Sequence, residues 1–175
     1  ELINKNPEIY RIDVPLTGNP LKNLNCYVIK DGGESAVIDT GFRTEECRQV
    51  LFDGLREIGV SPEHTKLIIT HLHSDHIGLA GYFDYPDTTI YMGETEYAYY
   101  LQMMKGHIRS RIDRGYLLEG FPEEELADAM RTNPTTIYLP EATFPVTTLQ
   151  DGDEIRVGNT VLTALFMPGH TPGQM

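Results

Sequence analysis

The sequence has no tryptophan and only two cysteines, Cys26 and Cys47. Two distant thiols cannot make the disulfide framework of a small secreted domain, so the expectation is a reduced, cytoplasmic chain. No apolar run approaches the roughly 18 residues a membrane span needs, which predicts no membrane partner. No basic-then-apolar leader opens the chain. It begins on Glu1 rather than Met, as expected of a processed or trimmed N-terminus. Positive charge is also scarce: 14 Lys and Arg stand against 26 Asp and Glu, a formal net charge of −12. That balance lacks the broad basic surface nucleic acid requires. It does not oppose metal binding, since carboxylates attract cations. Internal repeats and low-complexity tracts are absent. The 175 residues therefore predict one domain, burying about 70% of the surface its unfolded chain exposes.

What is present alternates between strand and helix patterns. Residues 9–14 and 25–30 read as strands, and residues 35–39 form a short apolar run suited to a strand buried on both faces. Asp39-Thr40-Gly41 then turns the chain. Thr44 reads as a helix N-cap with Glu45 and Glu46 in the first turn. Cys47, Val50, Leu51, Leu55 and Ile58 follow at helical spacing until Gly59. Residues 66–70 form a second buried strand, a helix is expected over 77–83, and a strand over 88–92. From Glu94 to about residue 133 the pattern is that of a helical insert, with Tyr97, Leu101 and Met104 on one face. A further helix has Pro122 at its first position and runs through Leu126 and Met130. Strands return after Pro140, and residues 154–157 and 160–166 flank Gly158-Asn159 as a hairpin. The order is that of an α/β fold.

The chemistry concentrates in Thr70-His71-Leu72-His73-Ser74-Asp75-His76, three histidines and an aspartate in six consecutive positions. Chance makes such a run on the order of one time in ten thousand from residue frequencies, so scattered surface histidines explain it poorly. Imidazole and carboxylate suit zinc, iron and manganese. The run lies just after a buried strand, where open α/β sheets place ligands. An extended segment projects His71 and His73 to one side, and the turn after them brings Asp75 and His76 to a neighbouring point. That arrangement suits two adjacent metals better than one.

This pattern resembles the signature of the metallo-β-lactamase fold superfamily. Val37-Ile38-Asp39-Thr40-Gly41 is similar to the family's first motif. Met167-Pro168-Gly169-His170-Thr171-Pro172-Gly173 is similar to the segment supplying its next histidine ligand, and Asp151-Gly152-Asp153-Glu154-Ile155 to the turn and strand before it. The resemblance implies an αββα sandwich. It implies that His71, His73 and His170 hold one metal and that Asp75 and His76 hold a second, zinc in both places with iron or manganese as alternatives. Asp39 would orient the ligand loop, or simply form the turn. Family members carry a bridging aspartate and a last histidine further on. Here the chain ends at Met175, so the expectation is the first part of a longer protein, with the C-terminal part of the sandwich missing.

The function so implied is hydrolysis of an ester, thioester or lactone-type carbonyl by a metal-bound hydroxide, with Asp75 orienting the nucleophile. His73 and His76 resemble the glyoxalase II and lactonase branches. Ser74 reads as a loop former rather than a nucleophile. A mono-iron dioxygenase using only His71, His73 and His170, and an inert metal-binding fragment, are the alternatives. The substrate is expected to be a small molecule. Lys105, His107, Arg109, Arg111 and Arg114 make a basic stretch in an acidic chain; Arg109 and Arg111 either hold an anionic substrate group or sit on a solvated helical face. Tyr97, Tyr99, Tyr100, Met103 and Met104 read as an apolar lid or as core packing. His64 and His107 are expected at the surface.

Overall fold

Alternation of buried and exposed side chains builds the first half of the molecule. In a computed structural model, which describes residues 1–175 apart from the side chains of Met130 and Thr136, β1 (Leu2–Lys5), β2 (Glu8–Pro15), β3 (Asn23–Asp31) and β4 (Glu34–Ile38) pair as an antiparallel meander. Three further strands then add in parallel: β5 (Lys66–Ile69), β6 (Thr89–Gly93) and β7 (Thr147–Leu149). The result is one seven-stranded sheet in the order β1-β2-β3-β4-β5-β6-β7. A separate hairpin, β8 (Glu154–Val157) with β9 (Thr160–Thr163), turns on Gly158. This is the mixed α/β architecture expected from the sequence.

Two cores follow from the two faces of the sheet. On one face, α1 (Glu45–Glu57) buries Cys47, Leu51 and Leu55 against Ile12, Val14, Cys26, Val28 and Val37. Burying one such leucine is worth about 1.5–3 kcal/mol relative to leaving it in water. The predicted cap is present: Thr44 accepts a hydrogen bond from the Cys47 N–H at 3.2 Å. Gly59, at φ +69°, follows the last turn, the left-handed position that ends many helices. On the opposite face, Ile29 and Ala36 pack with Val157 and, at their margin, Leu162, so the hairpin covers the β3–β4 part of the sheet. Sheet, hairpin and α1 thus stack in the layer order of a sandwich.

The structure moves several boundaries. The helix expected over 77–83 is two short turns instead: α2 (Ser74–Ile77) begins inside the histidine run, and residues 80–83 form a 3₁₀ turn. The cause is that His73 stays extended while its carbonyl accepts the N–H groups of His76 and Ile77. Helices α3 (Glu94–Met104), α4 (His107–Leu118), α5 (Glu123–Thr132) and α6 (Pro134–Ile137) link β6 to β7, so the helical stretch runs to Ile137. Pro122 lies just before α5, as its cap, rather than at its first position. Leu126 is buried on α5, while the Met130 side chain, expected on the same helix, lies outside the described residues. α6 was not anticipated; the Asn133 side chain caps it by accepting from the Thr135 N–H at 2.9 Å. β9 stops at Thr163, short of residue 166, although Ala164 still donates its N–H to the Asp153 carbonyl and accepts the Gly152 N–H.

Candidate metal centre

The parallel strands bring their C-terminal ends to one edge, where α/β sheets hold ligands. Asp39 follows β4, the histidine run follows β5, and α3 starts directly after β6. The segment carrying His170 returns to the same edge, and the Met175 N–H donates to the Thr70 carbonyl at 3.1 Å.

His71, His73 and His170 converge there. One nitrogen from each lies within 4.8 Å of the others. Ring centroids are 4.9 Å apart for His71 with His73, 4.9 Å for His71 with His170 and 4.6 Å for His73 with His170. His71 is 3% exposed, and its Nε2 is buried with no hydrogen-bond partner. A buried polar atom left unpaired is costly, and such a site commonly accommodates an ion or water. Three imidazoles around one point, one with an orphaned nitrogen, fit a divalent transition ion.

Asp75 and His76 adjoin this triad. The His76 ring centroid is 3.9 Å from that of His71, and His76 Nε2 lies 3.4 Å from Asp75 Oδ2. Asp39 organises both groups from behind. Its Oδ1 accepts the Thr70 N–H at 2.9 Å, and its Oδ2 accepts the Thr70 hydroxyl at 2.8 Å and pairs with His76 Nδ1 at 2.8 Å. The Thr70 oxygen also lies 3.0 Å from His71 Nδ1. The single Thr70 hydroxyl proton goes to the carboxylate, so His71 Nδ1 must carry the hydrogen in that second contact. Asp39 therefore holds Nδ1 of His76 directly and Nδ1 of His71 through Thr70, so the Nε2 of each ring faces away from Asp39. Asp39 itself is held at φ +61°, its N–H on the Ile68 carbonyl and its own carbonyl accepting from the Cys26 thiol. Burial pushes that thiol's pKa up, and neither cysteine is paired.

The electrostatics divide the centre into two halves. Burial, reinforced by His76, His73 and His170, pushes the His71 pKa down to about 3. His73 is also lowered, first by burial and then by His170. Both shifts favour the neutral imidazole. Burial opposes a charge on His76 too, but hydrogen bonds to Asp39 and Asp75 outweigh it and raise its pKa to about 9. Burial pushes the Asp75 carboxyl upward, and His76 more than reverses that, so its pKa is lowered.

Other predicted residues separate from the centre. Arg109 lines a cavity of about 680 Å³ that opens onto His73 and His170, whereas Arg111 is exposed and is not part of its wall. Tyr99, Met103 and Met104 line that cavity. Tyr97 and Tyr100 instead turn into the core and donate their hydroxyls to the Phe144 and Ala142 carbonyls. Ser74 is buried within the ligand loop. His64 and His107 are exposed. Sequence reasoning overlooked three residues. Thr70 relays Asp39 to His71. Arg43 donates to the Leu139 and Ile137 carbonyls and to Glu141, which pins one wall of the cavity. Glu96, fully buried, accepts the Leu72 N–H at 2.9 Å and the Gly173 N–H at 2.8 Å. Their only sequence signal was proximity to a motif, and Glu96 lacked even that.

The sequence profile of the Metallo-beta-lactamase superfamily matches residues 20–175. Among curated proteins, the human acyl-coenzyme A thioesterase MBLAC2 is 26% identical over 161 residues, covering 86% of this chain and 52% of its own length. The chain spans about half the length of the curated relatives it matches. Among solved structures, a metallo-beta-lactamase family protein from Thermus thermophilus superposes with a TM-score of 0.76 at 28% identity, over 95% of this chain and 54% of that one. The FEZ-1 metallo-beta-lactamase from Legionella gormanii shares the fold at a TM-score of 0.62 and 20% identity, over 95% of this chain and 52% of that one.

Proposed function

Because the chain belongs to the metallo-beta-lactamase superfamily, we propose that it carries the metal-binding half of a hydrolase acting on an ester, thioester or lactone carbonyl. The observation that carries the reading is the buried, unpartnered Nε2 of His71 converging with His73 and His170 beside the Asp75–His76 pair. The relationship to an acyl-coenzyme A thioesterase supports an acyl substrate.

His71, His73 and His170 would hold one zinc ion, and Asp75 and His76 a second. Bound there, the ions supply Lewis acidity and lower the pKa of water to about 7. The chain's own groups do the rest. Asp39 keeps the His71 and His76 rings in the ligating tautomer. Asp75 would orient the attacking water as an acceptor. Hydrolysis adds that water across the acyl C–O or C–S bond, one proton ending on the leaving group. Residues of the cavity wall seat the substrate with its carbonyl toward His73 and His170.

Metal analysis of the intact protein tests this. Two zinc ions per chain are expected, with His71→Ala and His73→Ala losing metal while keeping the far-ultraviolet circular dichroism of the parent. Parental stoichiometry in both variants overturns the ligand assignment. Stoichiometric iron with oxygen-dependent turnover would instead identify a mono-iron dioxygenase built on His71, His73 and His170.

A further inference from the structure

The cavity beside the metal centre differs in character from the centre itself. Its volume, about 680 Å³, lies in the range of small-molecule sites. One end is formed by His73 and His170, and much of the wall by Tyr99, Met103, Met104, Ile108 and Ile112 of α3 and α4. We propose that this cavity binds the unbranched hydrocarbon portion of the substrate's acyl group, the reacting carbonyl lying at the His73–His170 end. The inference rests on the hydrolase reading and adds the substrate class.

Arg43, Arg109 and the Asn133 side-chain oxygen of the wall are already engaged, and the one wall atom buried without a partner among the described residues is the neutral Thr171 Oγ1. The Arg43 guanidinium is held by two backbone carbonyls and Glu141. Asn133 Oδ1 caps Thr135, and Arg109 Nε lies 3.6 Å from Asp113. Glu141 adds a negative charge at this rim. A second anionic group on the substrate would have to displace these pairs, whereas a hydrocarbon chain disturbs none of them. Ile112 is 44% exposed without a ligand, so a chain laid against it removes apolar surface from water. The two methionines are unbranched and flexible, and adapt to chains of differing length.

The test is a homologous series of phenyl esters and thioesters, from acetyl to octanoyl, with the intact zinc-loaded protein. The kcat/KM should rise about two- to four-fold per added methylene, the factor expected from hydrocarbon burial. Ile112→Asp and Met104→Ser should each cut the octanoyl-to-acetyl ratio at least ten-fold. A flat series with measurable turnover overturns the acyl site and leaves the hydrolase reading standing. If no member is hydrolysed, that reading fails, and calorimetric titration with octanoate and acetate decides the site separately. Octanoate binding at least ten-fold tighter than acetate, lost in Ile112→Asp, supports it; equal binding overturns it.

A different observation carries a second inference. Glu96 is 0% exposed, and its two oxygens accept N–H groups from two separate loops. Leu72 lies between His71 and His73, and Gly173 lies just after His170. The geometry points to Glu96 as a positioning residue that sets the separation of the two ligand-bearing loops. A glutamine there keeps one acceptor and turns an NH₂ toward the other N–H, so one loop is released. The intact protein loaded with cobalt(II) reads this directly, because the visible spectrum reports ligand geometry. Glu96→Gln should shift that spectrum and weaken metal binding about 10–100-fold in chelator competition. Leu55→Ala, a core change of similar or greater cost to stability, should shift neither. Should Glu96→Gln not fold, Gly173→Ala serves, since its Cβ would lie 2.4 Å from the Glu96 nitrogen. A parental spectrum and affinity in the variant that folds overturns the assignment.

Discussion

Two regions meet at the cavity and are built in opposite ways. The ligand loops after β4 and β5 are polar yet buried: Asp39, Thr40, His71 and Ser74 are all 5% exposed or less. Nearly every group there has a partner. Thr40 alone donates its N–H and its hydroxyl to the His76 carbonyl while accepting the Leu79 N–H. The helical wall across the cavity is apolar yet exposed. α4 buries none of its residues, and Ile112, on this wall, is 44% exposed. A buried polar network tolerates one arrangement, because each broken bond leaves an unsatisfied group. An apolar wall tolerates many. The metal ligands proposed above need one fixed arrangement and lie in the first region, and the acyl chain proposed above would lie against the second.

The largest test of that contrast is Asp39→Ala. It removes the acceptor for the Thr70 N–H, the Thr70 hydroxyl and His76 Nδ1. Metal-dependent hydrolysis should fall about 100-fold or more, with zinc lost from the Asp75–His76 side first. Denaturant unfolding of the metal-free protein should show a loss of about 3 kcal/mol, since a buried charged His76 loses a partner. Unchanged zinc content would break the comparison, because the loops would then hold their ligands without the network.

Thr70→Val sharpens it. The shape is nearly kept, but His71 Nδ1 loses its acceptor and Asp39 a donor. Zinc affinity at the three-histidine point should drop about ten-fold in chelator competition, with the Asp75–His76 side less affected. Gly78→Ala probes packing instead. An added Cβ would lie 2.5 Å from the Gly41 and Ser74 carbonyl oxygens. Overpacking of this kind costs about 1–3 kcal/mol, measurable as a shifted denaturation midpoint. The smallest effect belongs to the exposed face of α4 outside the wall: Arg111→Ala should change stability by less than about 0.5 kcal/mol, with kcat/KM for a neutral ester unaltered.

Much of the architecture was legible because it depends on neighbours in sequence. Thr44 caps its helix three residues on, Gly59 ends it, and residues 35–38 make a strand of their own apolar character. The histidine run was legible for the same reason. The start of α2 at Ser74 was not, because it depends on the His73 carbonyl and on the grip of Thr40 on His76, a contact across 36 positions. Glu96 reads as one acid among several at the start of a helix, and its partners lie 24 and 77 positions away. Arg43 looks like a surface cation until α6 and the strand-leading loop, some 94 to 98 positions on, come to rest against it.

By itself the sequence determined the candidate ligands, their spacing after a buried strand, and the family whose motifs they match. Those are local properties, set by side-chain chemistry and by the period of strands and helices. Only the tertiary structure decided which nitrogen of His71 and His76 is held by the Asp39–Thr70 network, which arginine reaches the cavity, and that a buried glutamate joins the loops carrying His71, His73 and His170. Each of these rests on a hydrogen bond or an approach between distant segments, and such contacts exist only after the sheet has brought its strand ends to one edge.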